Sequence, residues 1–202
     1  MLKVGLTGNI ACGKSSISNI LQLNDYYIID ADVISREIYE YDDVMERMRI
    51  YFPQAIIENQ IDRKKLSDIV FGDNDKLLKL NRIVHDKINS VINMRINLYK
   101  KMYGEDIIVI IDAALLFESN FDKNMDKIVV VFCPEDEQLI RLMDREGITV
   151  PQALSRINSQ MDQSEKVSRA DYVIDNSGNL EDLEKQVNNL MQQMQTWNNN
   201  FK

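Results

Sequence analysis

The sequence predicts an α/β fold in which a five-stranded parallel sheet lies between layers of helices, and two observations lead there. Five short runs, at 2–7, 26–30, 107–112, 128–132 and 172–175, are almost continuously apolar, as strands covered on both faces are. Between them apolar residues recur at helical spacing. Strand and helix signals that alternate in this way belong to parallel sheets.

The first strand opens onto Gly8-Asn9-Ile10-Ala11-Cys12-Gly13-Lys14-Ser15, which fits G-x-x-x-x-G-K-[ST]. Backbone N–H groups of such a loop wrap the β-phosphate, the lysine reaches the β/γ oxygens, and the last hydroxyl ligates Mg²⁺. A helix follows at 14–23, with Ile17, Ile20 and Leu21 on one face. Strand, loop and helix in that order narrow the class to a P-loop NTPase of three-layer α/β/α type.

The second strand ends in Asp30-Ala31-Asp32, at the carboxyl edge where open parallel sheets take their ligands. Asp32 reads as the acceptor of a hydroxyl proton or as a water-mediated Mg²⁺ partner, with helix capping as the plain alternative. Asp30 stands evenly between the two. Helices are predicted at 33–39, 44–50, 64–71 and 76–102. The interval 34–104 is too long for one crossover helix, so it reads as an inserted helical subdomain over the sheet's carboxyl edge. Within it, Arg63 and His85 gain no role from spacing, because a lone histidine with no second His or Cys partner is more often structural.

The third strand ends in Asp112, placed as a Walker-B-like acid or a plain strand terminus. Glu118 follows as a supporting partner or a helix start. A helix at 135–145 sets Arg141 and Arg145 four residues apart on one face. That pair suits phosphates through the planar guanidinium fork, or forms a solvated face with Glu137 and Asp144. With the break from Gly147 to Pro151, segment 138–166 reads as a small lid, leaving 1–33, 105–137 and 167–202 as the core. Helices at 152–161 and 180–197 complete the pattern.

Composition excludes several classes. The 202-residue chain carries a net charge of −8, which argues against broad electrostatic capture of nucleic acid or an anionic membrane. No apolar stretch has the length of a membrane span, and no signal peptide is recognisable. Two cysteines, Cys12 and Cys133, form no disulfide framework, and a cytoplasmic protein is expected, as a monomer or weak homo-oligomer. Cys12, next to a helix N-terminus that lowers thiolate pKa, is a candidate reactive thiol. Asp144–Gly147 and Asp175–Gly178 spell the Asp-x-x-Gly of a GTPase switch, but no Asn-Lys-x-Asp occurs, which argues against one.

Beyond the loop, the chain resembles the dephospho-coenzyme A kinase family along nearly its whole length. The resemblance rests on residues 4–15, on Ile29-Asp30-Ala31-Asp32 with Arg36, on Asp62-Arg63-Lys64-Lys65-Leu66, and on Leu80-Asn81-Arg82-Ile83-Val84-His85. It continues through Leu115-Leu116-Phe117-Glu118, residues 138–145 and 156–160, Lys166, Ala170-Asp171 and Asp175-Asn176-Ser177-Gly178. It implies transfer of the ATP γ-phosphate to the ribose 3′-hydroxyl of dephospho-CoA, with ATP and Mg²⁺ required. It further implies that Asp32 is the base and that Lys14 and Arg141 act on the transferring phosphate. Gly8, Ala11, Cys12, Gly13, Lys14, Ser15, Ser16, Arg141 and Asn176 would contact the nucleotide, and Ser15 the metal. Thr7, Asp32, Arg63 and His85 would contact the acceptor, while Gln160 and Lys166 would serve lid closure or nucleotide contacts. Departures from the family pattern are Ala11 and Cys12 in place of Gly-Ser, Ser16 for threonine, and Asp86 and Ala114 for prolines. A positive φ at Ala11 would cost on the order of 1 kcal/mol because of its Cβ.

Overall fold

The computed structural model describes residues 1–200. In chain order the elements are β1 (Leu2–Gly8), α1 (Lys14–Leu23), β2 (Tyr27–Asp30), α2 (Ala31–Glu37), α3 (Asp42–Tyr51), β3 (Ile56–Ile57) and β4 (Gln60–Ile61). These are followed by α4 (Arg63–Val70), α5 (Asn74–Tyr103), β5 (Ile108–Asp112), β6 (Lys127–Phe132), α6 (Glu135–Glu146), α7 (Val150–Ile157), α8 (Gln163–Ser168), β7 (Tyr172–Asp175) and α9 (Leu180–Asn200). The chain separates into two compact units, one built from Met1–Asp30 and the chain from Leu98 onward, the other from Ala31–Asn97.

The first unit holds the five-stranded parallel sheet, in the order β2-β5-β1-β6-β7, within a three-layer α/β/α arrangement. Alternation along each strand divides the apolar residues between the two faces. Leu2, Val4 and Leu6 of β1, Ile108 and Ile110 of β5, and Val129 and Val131 of β6 pack with Ile17 and Leu21 of α1 and with Leu183, Val187, Leu190 and Met194 of α9. The opposite face of β5, Val109 and Ile111, is buried as well, which is why these strands read as unbroken apolar runs. The end of α5 belongs to this unit too: Tyr103 stacks on Tyr27 at 4.6 Å, and Tyr99 lies 5.1 Å from the same ring.

Parallel register sets Leu6 of β1 opposite Asp112 of β5 and Asp30 of β2 opposite the same Asp112. Two carboxylates and the start of the glycine-rich loop therefore share one edge of the sheet.

The second unit is helical around Ile38, Val44, Met48, Phe52, Leu66, Val70 and Ile83. Asp62 caps α4 by accepting from the N–H groups of Lys64 and Lys65, each at 3.0 Å, as an N-terminal carboxylate does. Lys87 on α5 bonds Asp43 on α3 at 2.7 Å.

Several boundaries differ from expectation, each for a local reason. β2 runs into α2 without a loop, so the helix begins at Ala31 and closes in a 3₁₀ turn at Ile38–Glu40. The helix expected at 152–161 is α7, which starts earlier, at Val150 with Thr149 before it and Pro151 in its first turn, and ends at Ile157; a further helix that was not expected, α8, starts where Asp162 accepts from the Ser164 N–H. Proline is pre-organised for a first turn. The helical unit ends at Asn97, short of the expected 104, since Tyr99 and Tyr103 pack on Tyr27. The β3–β4 hairpin was not expected. Its two turn residues, Glu58 and Asn59, both take positive φ, the backbone of a tight hairpin, but Glu-Asn is a weak sequence signal for it.

Candidate active site

The loop after β1 owes its shape to two left-handed residues, Ala11 at φ 63° and Gly13 at φ 91°. The positive φ considered for Ala11 is thus present. At Gly13 a Cβ would fall 2.0 Å from Asn176 Nδ2, and that amide donates to the Cys12 carbonyl at 2.9 Å. Only glycine satisfies both the backbone and the close approach. At Gly8 an added Cβ would meet the Val131 carbonyl oxygen at 2.7 Å, so β1 and β6 can run side by side up to the loop.

Lys14 and Ser15 begin α1, whose first turn points its N–H groups toward the loop. The Lys14 ammonium bonds Asp112, and the Ser18 hydroxyl, one helical turn on, bonds the other oxygen of the same carboxylate. Burial raises the Asp112 carboxyl above its ordinary range, the Lys14 ammonium and Ser18 hydroxyl pull it back, and the neighbouring Asp30 adds a smaller upward push. Asp112 is therefore more than a strand terminus, since it sets the position of the loop lysine. Thr7 is fully buried and its hydroxyl donates to the Ala114 carbonyl at 3.2 Å. Ser15 and Ser16 are exposed.

Arg141 on α6 makes the Glu137 contact expected of a solvated face, together with one that was not expected. Its guanidinium pairs with Glu137 and also donates to the Asn176 carbonyl at 2.9 Å, which brings it beside the residue that supports Gly13. Arg145 instead pairs with Glu146 at 2.7 Å and stays on the exposed face.

Cys12 corrects the expectation of a reactive thiol. It is wholly buried, with the Cys133 sulfur 3.1 Å from its own. The thiol of Cys133 and burial push the Cys12 thiol far above the ordinary range, and together they outweigh the helix N-terminus.

A set of amides that holds the loop backbone was not foreseen, although the resemblance names Gln160 for lid closure or nucleotide contacts. Gln160 accepts from the Ile10 N–H at 2.7 Å, and Gln138 donates to the Ile10 carbonyl at 2.8 Å. Asn9 Nδ2 donates to the Met161 carbonyl at 3.0 Å. Gln138 was legible in one respect: it is buried one turn before Leu142 on the inner stripe of α6, where a polar residue needs a partner. Glu118 accepts from the Met161 N–H at 2.9 Å and lies 2.8 Å from the ammonium of fully buried Lys166.

In the helical unit, Asp32 occupies the first turn of α2, two residues past the end of β2. Its carbonyl accepts from the Ser35 hydroxyl at 2.9 Å and from Arg36 Nε at 3.2 Å. Arg63 is exposed, donates to the Arg36 carbonyl at 3.0 Å and lies over the Tyr39 ring. His85 is half-buried on α5. Among the described residues no cluster of three or more His, Cys, Asp or Glu side chains could hold a metal, and no helix is long and apolar enough to cross a membrane.

Comparison with known proteins finds relatives along nearly the whole chain. The sequence profile of the dephospho-CoA kinase family matches residues 2–182. A dephospho-CoA kinase of Oceanobacillus iheyensis is 42% identical over 205 residues, covering 98% of each chain. One from Carboxydothermus hydrogenoformans is 43% identical, covering 94% of this chain and 92% of that one. Among solved structures, a dephospho-CoA kinase from Campylobacter jejuni superposes with a TM-score of 0.72 at 28% identity, covering 97% and 98% of the two chains. A crystal structure from Thermus thermophilus reaches 0.83 at 29% identity, covering 95% and 97%. A shikimate kinase of Bacteroides thetaiotaomicron, at 14% identity and a TM-score of 0.55 over 96% and 98% of the chains, shares the fold alone. With a phosphate-binding loop on this sheet and matches of such length, the chain belongs to the dephospho-CoA kinase family.

Proposed function

We propose that this chain transfers the γ-phosphoryl group of ATP to the ribose 3′-hydroxyl of dephospho-CoA, giving coenzyme A and ADP. The observation that carries the reading is the left-handed loop at Ala11–Gly13 with Lys14 held by Asp112, in a chain whose family match spans residues 2–182.

Phosphoryl transfer asks little covalent chemistry of a protein, so positioning and charge neutralisation dominate. In this reading the backbone N–H groups of the loop and the Lys14 ammonium hold the β- and γ-phosphates. Arg141, already beside Asn176, contributes a second cation. Asp32 takes the proton of the acceptor hydroxyl as its oxygen bonds to the γ-phosphorus and the bond to the bridging β,γ oxygen breaks. Arg63 and His85 belong to the acceptor side, and the segment 138–166 closes over the nucleotide to exclude water that would otherwise accept the phosphoryl group.

Mg²⁺ fits the donors available. It keeps several waters and takes one or two protein oxygens beside substrate phosphates, and the exposed Ser15 hydroxyl with the carboxylates of Asp112 and Asp30 offers hard oxygen at the sheet edge. Bound there, the ion would neutralise phosphate charge. A cytoplasmic location, where thiols stay reduced, suits the two free cysteines.

The test is ADP release measured with dephospho-CoA and, separately, with AMP, CMP, GMP and shikimate. Turnover confined to dephospho-CoA is expected. Turnover of any other acceptor at a higher kcat/KM, or none with dephospho-CoA, sinks the proposal.

A further inference from the structure

We infer that Gln138, oriented by Gln163, is a positioning residue for phosphoryl transfer: it fixes the Ile10–Ala11 peptide so that the Ala11 N–H is aimed at the nucleotide. The inference rests on the reading of the loop as the ATP phosphate site.

Gln138 is completely buried on α6 and both ends of its amide are in use. Nε2 donates to the Ile10 carbonyl at 2.8 Å, and Oε1 accepts from Gln163 Nε2 at 2.9 Å. Gln163 Oε1 in turn accepts from the Cys133 backbone N–H at 3.4 Å and the Cys12 thiol at 3.2 Å. The polarity of this chain is set at both ends. A backbone N–H can only donate, so the Gln163 oxygen must face Cys133, its NH₂ must face Gln138, and the Gln138 NH₂ is left for a carbonyl that can only accept. Neither amide can flip without placing like against like at each link.

What the chain holds is one peptide plane. A trans peptide points its C=O and the following N–H in opposite directions, so anchoring the Ile10 carbonyl on Gln138 aims the Ala11 N–H the other way. The Ile10 N–H is taken by Gln160 at 2.7 Å, which grips the preceding plane as well. The clamp has a specific load. Ala11 sits at φ 63°, a region that a residue with a Cβ populates at a disadvantage of about five- to thirty-fold. Without the clamp, the Ile10–Ala11 peptide has reason to rotate, and the loop would lose one N–H aimed at phosphate.

The decisive comparison uses four proteins: wild type, Gln138→Met, Ala11→Gly, and the two combined. ATP and dephospho-CoA are varied separately, and ATP affinity is also measured by calorimetry without acceptor. Gln138→Met should lower kcat/KM for ATP about tenfold and weaken ATP binding, leaving KM for dephospho-CoA unchanged. Ala11→Gly serves as its own reference background, whatever its kcat/KM, and there the added Gln138→Met should cost far less than the tenfold it costs beside Ala11, since glycine takes positive φ without penalty. That non-additivity is the signature of shared positioning, and a general packing defect would not produce it. Wild-type kcat/KM for ATP in Gln138→Met, or an equal loss with and without Ala11→Gly, overturns the inference. Should Gln138→Met fail to fold, Gln163→Leu breaks the chain one link away and must show the same ATP-side loss and the same smaller cost beside Ala11→Gly. Should the wild type fail to turn over dephospho-CoA, the acceptor reading falls, while the calorimetric comparison still decides the clamp.

Discussion

The ammonium of Lys166, with no exposed side-chain surface, lies 2.8 Å from Glu118 Oε1 and 3.1 Å from the Ala114 carbonyl. The pair joins α8 to the turn that follows β5, and Glu118 also holds the Met161 N–H just before α8. Removing one member of such a pair leaves a charge poorly compensated, at a cost of about 2–4 kcal/mol for a partner that is only partly exposed. Lys166→Met should therefore lower Tm by roughly 5–12 °C in a chain of this size. Adding Glu118→Gln, which keeps an acceptor for Met161 and removes the charge, should recover part of that loss. Melting curves of the single and double variants check it, and a double variant less stable than Lys166→Met alone would show that the pair is not the source.

Asp112 is expected to leave a pH signature. Its carboxyl is raised by burial despite Lys14 and Ser18, so the folded state binds its proton more tightly than the unfolded chain does. The contribution of Asp112 to stability is therefore complete below the unfolded value near about 3.9 and is lost as pH rises through the higher folded value. Relative to Asp112→Asn, which cannot titrate there, wild type should gain stability as pH falls from 7 toward 4. Asp112→Asn should also cut kcat/KM for ATP by about tenfold or more, because Lys14 loses the carboxylate that places it. Urea unfolding at several pH values tests the first expectation and ATP-dependent kinetics the second.

How far the sequence alone reaches is clear from where it stops. The central strands β1, β5 and β6 were legible because both of their faces are buried, so that Ile108-Val109-Ile110-Ile111 reads as one apolar run. The loop was legible because its glycines and lysine are required by local backbone geometry and charge. Gln138, Gln163 and Lys166 were not legible in their hydrogen-bond partners, although the resemblance singles out Lys166. Each is a polar residue whose partner lies between about 25 and 130 positions away, and before the fold is known such a residue looks like surface. The left-handed Glu58-Asn59 turn was hidden for the opposite reason: its constraint is local, but glutamate is a poor marker of positive φ. Asp32 became a candidate from its place at the carboxyl end of the second strand, with helix capping as the alternative, whereas Arg63 and His85 became candidates through family resemblance alone.

Burial makes a clear forecast for Cys12. A thiol with no exposed surface, beside a second thiol and held protonated, should react with iodoacetamide far more slowly than glutathione does. Its rate should also rise little between pH 7 and 9, where a free thiol ionises. Peptide mass spectrometry after timed labelling resolves Cys12 from Cys133, and full reactivity should return in guanidinium. Rapid labelling of the native protein would restore the reactive-thiol expectation.

Arg141 has three neighbours with opposite claims on it: Glu137, the Asn176 carbonyl and, in the proposed reaction, phosphate. A surface ion pair with Glu137 contributes roughly 0–1 kcal/mol, so Arg141→Ala should barely change Tm if pairing is its only task. As a phosphate cation it should instead lower ATP-dependent kcat/KM by ten- to a hundredfold with KM for dephospho-CoA nearly kept. Wild-type kinetics in Arg141→Ala would return the residue to a solvated face.

Asp32→Asn separates proton acceptance from binding. The substitution keeps side-chain size and leaves the backbone carbonyl that accepts from Ser35 and Arg36, so α2 should keep its first turn and Tm should move little. A general base contributes about 10²- to 10⁴-fold, and the amide cannot take the hydroxyl proton at neutral pH. The expected result is a fall in kcat of at least a hundredfold with KM for ATP within about threefold of wild type. A stepwise loss, with kcat kept and KM for dephospho-CoA raised, would make Asp32 a residue that holds the acceptor without deprotonating it.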